Sequence, residues 1–171
     1  MVGMSAPTPD GPARISGRAV SVSADAALLA AAVELSRRCP PSPAAYSVGA
    51  LVVAPDGRVL ASGHSRQGDP AAHAEEVALA ALPPGAAAGA TVYTSLEPCT
   101  HRRSRPRGCA ALIIAAGVSR VVLALREPPT LAPCTGVADL LAAGIAVVEL
   151  VDLAPAVRAV NAHLMGEPPG A

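Results

Sequence analysis

Four side chains of the types that zinc enzymes use occur at short spacings along the chain. His73 and Glu75 are separated by one residue, Cys99 follows a proline, and Cys109 lies ten positions after Cys99. One imidazole and two thiolates are ligands that zinc prefers, and three protein ligands leave the fourth tetrahedral position open. Structural zinc sites usually close that position with a fourth protein ligand. The pattern therefore predicts a catalytic zinc site with His73, Cys99 and Cys109 as its ligands.

Glu75 is the candidate catalytic residue of this site. It lies on the first turn of a predicted helix, two residues after His73, so its carboxylate can stand beside a metal without binding it. A carboxylate in that place can take a proton from water, pass it to a ring nitrogen and finally protonate a leaving amine. Each residue alone has an ordinary reading, such as a capping histidine or a buried cysteine. Their order and spacing together favour the metal site.

Helices and strands alternate along the chain in an order that brings these residues together. Apolar patterning and turn residues predict helices over residues 23–38, 72–82, 109–116, 137–143 and 154–164, the first capped by Ser23 or Asp25, and strands over 48–54, 58–62, 91–95, 120–125 and 145–150. One hairpin followed by strands that alternate with helices predicts a mixed sheet with both faces covered. The expected fold is a three-layer α/β/α sandwich with a five-stranded mixed sheet.

The length of the chain and its composition favour one domain that acts on a small molecule. Residues 23–166 are expected to form that domain, between a disordered N-terminal tail (1–22) and a short C-terminal tail (167–171). Thirteen basic and thirteen acidic residues give a net charge of zero, and two tyrosines are the only aromatic side chains of the Phe, Tyr and Trp types. This balance argues against nucleic acid or an anionic membrane as a partner. The sequence has no signal peptide or membrane span by pattern, so we expect a cytoplasmic protein with reduced thiols.

The residues around the candidate ligands resemble the zinc deaminases of the cytidine deaminase superfamily, whose signature is His-x-Glu followed by Pro-Cys and a second Cys. The stretch from Glu97 to Cys109, EPCTHRRSRPRGC, is similar to EPCSHHGRTPPC of the pyrimidine deaminase of riboflavin biosynthesis, which has one residue fewer between the cysteines. The resemblance extends over roughly residues 25–165. It implies a cytidine deaminase-like fold, a Zn²⁺ cofactor, hydrolytic removal of an exocyclic amine from an aminopyrimidine-type small molecule, and a homodimer or higher homo-oligomer.

Two departures from the riboflavin-pathway pattern leave the substrate class open. Ala45 stands where the motif SPNPxVGA has its asparagine, and the approach to His73, DPAAHAE, is closer to the DPTAHAE of tRNA adenosine and guanine deaminases. The substrate favoured by the resemblance is the diaminopyrimidine ribosyl phosphate of the riboflavin pathway. The alternatives are another nucleobase, a nucleoside, a specialised metabolite, tRNA adenosine, and a non-catalytic binding module that zinc stabilises.

Five further residues are candidate substrate contacts. His64 and Ser65 end the second predicted strand, where the related enzymes contact a base or sugar, and Ala74 lies between His73 and Glu75. His101 and Arg105 lie in the arginine-rich stretch between the two cysteines, which we call the basic insert (residues 100–108). Guanidinium groups suit phosphate oxygens, and Arg105 resembles the arginine of the GRTP stretch of the family. The alternative for the basic insert is a solvated loop.

Three residues near the candidate site have more modest expectations. Glu97 resembles the glutamate of the EPC motif, and a hydrogen-bonding role that orders a loop is expected of it rather than catalysis. Cys134 follows the fourth predicted strand in a proline-rich loop, where an ordinary half-buried thiol is favoured over a residue at the mouth of a pocket. Cys39, beside Pro40, has no evident role.

Overall fold

The computed structural model describes residues 22–129, 131 and 133–166. The elements follow one another as α1 (Val22–Ser36), β1 (Gly49–Val53), β2 (Val59–His64), α2 (Ala74–Ala80), β3 (Thr91–Thr94), α3 (Cys109–Ala115), β4 (Arg120–Leu123), α4 (Gly136–Ala142), β5 (Ala146–Glu149), a 3-10 turn (Val151–Leu153), α5 (Ala154–Val160) and α6 (Ala162–Met165). Residues 1–21 of the predicted N-terminal tail and all of the predicted C-terminal tail, 167–171, lie outside the described residues.

The five strands form one mixed sheet in the order β2-β1-β3-β4-β5. β1 pairs antiparallel with both β2 and β3, whereas β3–β4 and β4–β5 are parallel pairs. The carboxyl ends of β3 and β4 therefore lie at the same edge of the sheet. The loops that follow these two strands carry Cys99 and Glu127 to that edge.

Helices cover both faces of the sheet, and a separate apolar core lies on each face. Val52 and Val92 point to the core shared with α2, α3 and α4, while their neighbours Leu51 and Tyr93 point to the core shared with α1 and α5. Successive side chains of a strand point to opposite faces, which explains why the strands are apolar at consecutive positions. The predicted α/β/α sandwich with a five-stranded mixed sheet is confirmed. Within the described residues, no helix reaches the length and apolarity that crossing a membrane requires.

The starts of two helices differ from the sequence expectation. α1 begins at Val22, so Ser23 and Asp25 lie inside its first turn and neither is the cap. α2 begins at Ala74 instead of residue 72, with His73 in an extended conformation (φ −97°, ψ 156°) at the N-cap. This conformation turns the His73 side chain out of the helix, which leaves it available to a site at the edge of the sheet.

The last predicted helix is divided at Asn161 into α5 and α6. The Asn161 side chain accepts a hydrogen bond from the Ser47 amide at 2.7 Å and donates one to the Ser47 carbonyl at 3.1 Å. These bonds join residues 114 positions apart in the chain. A local helical pattern cannot reveal such a partner, so the sequence predicted one continuous helix.

A buried carboxylate fastens α1 to the middle of the sheet. Asp25 is 3% exposed, and Arg120 donates to its two oxygens at 2.9 and 2.6 Å, while the Tyr93 hydroxyl donates at 2.6 Å. The hydrogen bonds from Arg120 hold the pKa of Asp25 below its ordinary value against the opposing effect of burial. Burial and the bond to Asp25 raise the pKa of Tyr93. The three side chains therefore join α1, β3 and β4 through an ionised pair and a neutral hydroxyl.

The Arg120→Ala substitution should lower the free energy of unfolding by about 3 kcal/mol, because it leaves the buried Asp25 carboxylate without its cation. Urea unfolding at neutral pH measures this loss. Arg126→Ala is the matched control, since Arg126 pairs with Glu149 at an exposed position, where a lost pair costs less than about 1 kcal/mol. Equal losses in the two variants would contradict the structural role assigned to Asp25.

The same comparison has an expected pH dependence. Because pairing lowers the pKa of Asp25 in the folded state, the stabilisation is fully present above the unfolded pKa of about 3.9. It is lost as the pH falls through the lowered folded value. The difference between wild type and Arg120→Ala should therefore be constant near neutral pH and should shrink in acid.

Candidate metal centre

Three ligand-type side chains meet at the edge of the sheet where α2 and α3 begin. His73 caps α2, Cys99 lies in the loop after β3, and Cys109 is the first residue of α3. His73 Nδ1 lies 3.4 Å from Cys99 Sγ and 3.5 Å from Cys109 Sγ, and the three ligand atoms lie within 4.8 Å of one another. A tetrahedral zinc ion places its nitrogen and sulfur ligands about 3.6 Å apart. The separations therefore fit one tetrahedral ion.

The two thiols are unlike each other in acidity. Hydrogen bonding from Cys109, and then from His73, holds the pKa of Cys99 far below its ordinary value in spite of burial. The bond to Cys99 and complete burial raise the pKa of Cys109 well above its ordinary value. Two adjacent thiolates repel each other, and a divalent cation between them removes that repulsion. The chemistry of the donor set therefore fits a zinc ion.

Glu75 lies beside this cluster as a buried carboxylate. It is 3% exposed, and the Thr94 hydroxyl donates a hydrogen bond to its Oε1 at 2.7 Å. Burial, and after it the negative charge of Cys99, raises the pKa of Glu75 above the ordinary value of a glutamate. Among the described residues, the ligand cluster comprises His73, Cys99 and Cys109 without Glu75. This arrangement supports the prediction that Glu75 stands near the metal without being a ligand.

A cavity of about 750 Å³ opens in front of the cluster. His73, Glu75 and Cys99 line it, and of the five predicted substrate contacts Ser65 and His101 line it as well. The rest of the lining comes from residues 44–46 and 48 before β1, from residues 66 and 70–72 before α2, from residues 96–97 after β3, from the basic insert, and from the loop after β4. The metal cluster therefore borders an open space large enough for a small molecule.

The other three predicted substrate contacts lie away from the cavity lining. The His64 ring packs with its Nδ1 3.1 Å from the Ser65 carbonyl oxygen, and Ala74 is completely buried. Arg105 forms ion pairs outside the cavity wall. For His64, Ala74 and Arg105 a role in binding substrate stays a prediction.

Glu97 holds the loop that follows β4. Its Oε1 accepts a hydrogen bond from the Val137 amide at 2.8 Å, and its Oε2 accepts one from the Glu127 amide at 3.2 Å. The loop-ordering role predicted for Glu97 is confirmed. Cys134 is half-buried as expected, with its Sγ 3.6 Å from the Pro98 carbonyl oxygen.

Glu127 is a cavity residue that the sequence analysis did not single out. Burial first, and then the charges of Cys99 and Glu97, raises its pKa to about 7. Its position in the loop after β4, at the same edge of the sheet as the cysteine loop, could have identified it from the sequence. Polar residues in such loops are the usual lining of sites in α/β proteins.

The arginines of the basic insert are bound to α2 by carboxylates. Glu76 accepts hydrogen bonds from Arg102 Nη1 at 2.8 Å and from Arg105 Nε at 2.9 Å. Arg105 also pairs with Asp69, and Arg102 donates to the Ala71 carbonyl. We call Asp69, Glu76, Arg102 and Arg105 the ion-pair cluster. It fastens the basic insert onto the start of α2.

The ion-pair cluster also reaches the metal ligands directly. Glu76 Oε2 accepts a hydrogen bond from the backbone amide of His73 at 3.3 Å. The Arg102 side chain is only 3% exposed, so its charge is balanced by Glu76 and not by water. The cluster therefore links the His73 backbone to the loop between the two cysteines, as partners behind metal ligands commonly do.

Comparison with known proteins identifies the family. Residues 22–125 match the sequence model of the cytidine and deoxycytidylate deaminase zinc-binding region. The chain belongs to this family. It is 36% identical over 122 residues to diaminohydroxyphosphoribosylamino-pyrimidine deaminase of Schizosaccharomyces pombe, covering 69% of this chain and 30% of that protein. It is 43% identical over 100 residues to riboflavin biosynthesis protein RibD of Escherichia coli, covering 58% of this chain and 26% of RibD.

Solved structures of this deaminase family have the same fold. RibD of Acinetobacter baumannii superposes with a TM-score of 0.72 at 31% identity, covering 84% of this chain and 39% of that one. The dCMP deaminase of cyanophage S-TIM5 superposes with a TM-score of 0.60 at 22% identity, covering 76% of this chain and 99% of that one. The chain thus spans less than a third of the curated relatives named above and 39% of the A. baumannii RibD chain.

Zinc is the cofactor that this deaminase-family site is built to hold. The matched zinc-binding region contains His73, Cys99 and Cys109, and the spacing of their ligand atoms fits the ion. The predicted zinc cofactor is confirmed by these two findings together.

The four cysteines offer a direct test of the ligand set. We expect about one zinc per chain in the wild type and loss of that zinc in Cys99→Ser and Cys109→Ser, because a serine hydroxyl is a poor zinc ligand. Cys39→Ser and Cys134→Ser are the matched controls, since both thiols lie outside the cluster. Zinc content after dialysis against a weak chelator measures the difference. Loss of zinc from a control variant, or its retention in both cluster variants, would contradict the assignment.

Glu76→Gln tests the ion-pair cluster. It leaves the buried Arg102 uncompensated, so we expect zinc to be released to a chromogenic chelator about 10 to 100 times faster. Glu34→Gln makes the same chemical change at an exposed pair with Arg37 on α1 and should leave the release rate unchanged. If Glu76→Gln does not fold, Asp69→Asn removes one partner of Arg105 and should give a smaller acceleration. Wild-type release rates in both cluster variants would show that the ion pairs do not support the metal centre.

Proposed function

We propose that this chain is a zinc-dependent hydrolytic deaminase that removes an exocyclic amine from an aminopyrimidine-type small molecule. The observation that carries this proposal is the buried Glu75 carboxylate beside a three-ligand zinc site at the floor of an open cavity. A structural zinc site needs no such carboxylate. The names of the curated relatives, which are pyrimidine deaminases of riboflavin biosynthesis, support the same class of reaction.

The reaction exchanges the amine for oxygen, so that substrate and water give the oxo product and ammonia. Zinc held by His73, Cys99 and Cys109 would supply a Lewis acid that lowers the pKa of water, so that water could act as a nucleophile at neutral pH. Glu75 takes the proton from that water and delivers it to the ring nitrogen beside the reacting carbon. As the carbon–nitrogen bond breaks, Glu75 takes the second proton of the water from the hydroxyl on the reacting carbon and transfers it to the leaving amine, so that the carbonyl forms and ammonia leaves. The hydrogen bond from Thr94 to Oε1 holds the carboxylate in place for this task.

The favoured substrate is the riboflavin-pathway diaminopyrimidine ribosyl phosphate. Identities of 36% to 43% with curated relatives from that pathway support this choice. Ser65 and His101 are the proposed contacts among the residues that line the cavity. Arg103 lines it too and forms no ion pair within the described part of the chain, whereas Arg102 and Arg105 are held by Glu76. Arg103 is therefore the proposed partner for an anionic group of the substrate.

The proposal extends to partners. A homodimer or larger homo-oligomer is implied by the resemblance to the superfamily. Equal numbers of acidic and basic residues support a small-molecule substrate over a nucleic acid.

Ammonia release from a panel of compounds tests the function. The panel comprises aminopyrimidine, cytosine, adenine and guanine compounds, each with and without phosphate. We expect the zinc-loaded protein to act on the aminopyrimidine class and to prefer the phosphorylated form. Glu75→Gln should retain zinc and lower kcat by about 10²- to 10⁴-fold, because it removes the proton carrier.

The matched control is Glu34→Gln, which should have wild-type kcat. Full activity in Glu75→Gln would remove the role assigned to that residue. A zinc-loaded wild type that releases ammonia from no compound would contradict the deaminase proposal, and equal turnover without phosphate would contradict the phosphorylated substrate.

A further inference from the structure

Arg66 has a backbone conformation that residues other than glycine rarely adopt. Its φ is 62°, and it is the only residue other than glycine with a positive φ in the part of the chain that the structure describes. This conformation brings Cβ close to the backbone and costs conformational energy in any residue but glycine. Such a residue persists where the surrounding contacts require it, and these places are often functional.

The Arg66 side chain makes three hydrogen bonds to one short segment. Nε donates to the Pro40 carbonyl at 2.7 Å, Nη1 to the Tyr46 carbonyl at 2.9 Å, and Nη2 to the Ser47 hydroxyl at 2.8 Å. Segment 40–47 belongs to no helix or strand. It therefore depends on side-chain contacts for its conformation, and the planar fork of a guanidinium matches three acceptors in fixed directions.

Arg66 also connects segment 40–47 to the metal centre. Its backbone amide donates to the Ala72 carbonyl at 2.8 Å, next to the zinc ligand His73. Residues 44–46 form part of the cavity wall, and Arg66 itself lines the cavity. Tyr46 is the only Phe, Tyr or Trp side chain among the lining residues. Arg66 therefore sets the distance between an aromatic wall and the metal ligands.

We propose that Arg66 is a positioning residue for substrate, which holds segment 40–47 in the conformation that accepts the substrate ring. This inference rests on the proposed function. The fold has separate anchors for the far end of the segment, because Asn161 binds the Ser47 backbone and the Ser65 hydroxyl accepts from the Val48 amide. Loss of the guanidinium therefore loosens the cavity wall, which keeps the contact of His163 Nε2 with the Ala45 carbonyl oxygen at 3.2 Å, and it leaves the sheet and the zinc ligands in place.

The test compares Arg66→Ala, Arg66→Lys and Arg66→Gly with Arg58→Ala, which removes an exposed arginine at the β1–β2 turn. If release of the wall reduces the binding-competent fraction to a tenth, KM rises about tenfold while kcat and zinc content are unchanged. Lys should restore part of the affinity. Gly fits the positive φ but lacks the donors, so it should behave like Ala. A wild-type KM in Arg66→Ala, or a fall in zinc content together with kcat, would overturn the proposal.

Limited proteolysis tests the role of Arg66 without a measurement of turnover. Chymotrypsin cleavage after Tyr46 requires segment 40–47 to open, whereas cleavage after the buried Tyr93 reports unfolding of the core. Arg66→Ala should accelerate cleavage after Tyr46 at least severalfold relative to Tyr93, and Arg58→Ala should not. An unchanged ratio would overturn the role of Arg66 even in an active enzyme. If the wild type turns over no compound, the proposed function fails, and the substrate role of Arg66 fails with it. The ratio of cleavage after Tyr46 to cleavage after Tyr93 then shows whether Arg66 still orders segment 40–47.

Discussion

Acidic groups are concentrated around the floor of the cavity, and their mutual repulsion is the constraint that the surrounding structure has to meet. The thiols of Cys99 and Cys109 meet within a few ångströms, Glu75 is buried beside them, and Glu127 is half-buried in the same cavity. The charge of Cys99 contributes to the raised pKa of both carboxyls. A divalent cation at the centre offsets this accumulation, which explains why one ion can hold together a helix cap, a loop and a second helix start.

The basic insert, between the two cysteines, is a second part of this region in which charges have to be balanced. The insert has to turn back on itself between Cys99 and Cys109. Gly108 permits this because it has no Cβ, and a Cβ at this position would clash with the Thr100 carbonyl oxygen at 2.1 Å. Arg102 is then buried against α2, where Glu76 balances its charge. Removing either partner leaves a buried charge without compensation. Arg102 and Arg105, which resemble a phosphate site in sequence, thus have a structural use, and Arg103 is the arginine of the insert that lines the cavity and forms no ion pair within the described residues.

The sequence revealed those features whose causes are local. Apolar runs predicted the five strands, and residue type with spacing predicted the metal ligands, because both signals lie within a few neighbouring positions. Features with distant partners were missed. The break at Asn161 depends on Ser47, the ionised state of Asp25 depends on Arg120, and the use of Arg102 depends on Glu76. Each residue is compatible with several partners, and only the folded chain selects one.

The residues proposed for the chemistry and those proposed for the choice of substrate lie in different parts of the fold. The ligands and Glu75 lie at helix starts and beside strand ends, which the two apolar cores hold rigidly. The cavity walls are loops, and single side chains such as Arg66 and Glu97 hold them. Loops can change without disturbing the sheet, so one metal centre can serve several ring substrates. Ala45 offers no polar side chain where the riboflavin-pathway motif has asparagine, so in the proposed reaction recognition of the ring has to come from the other walls of the cavity.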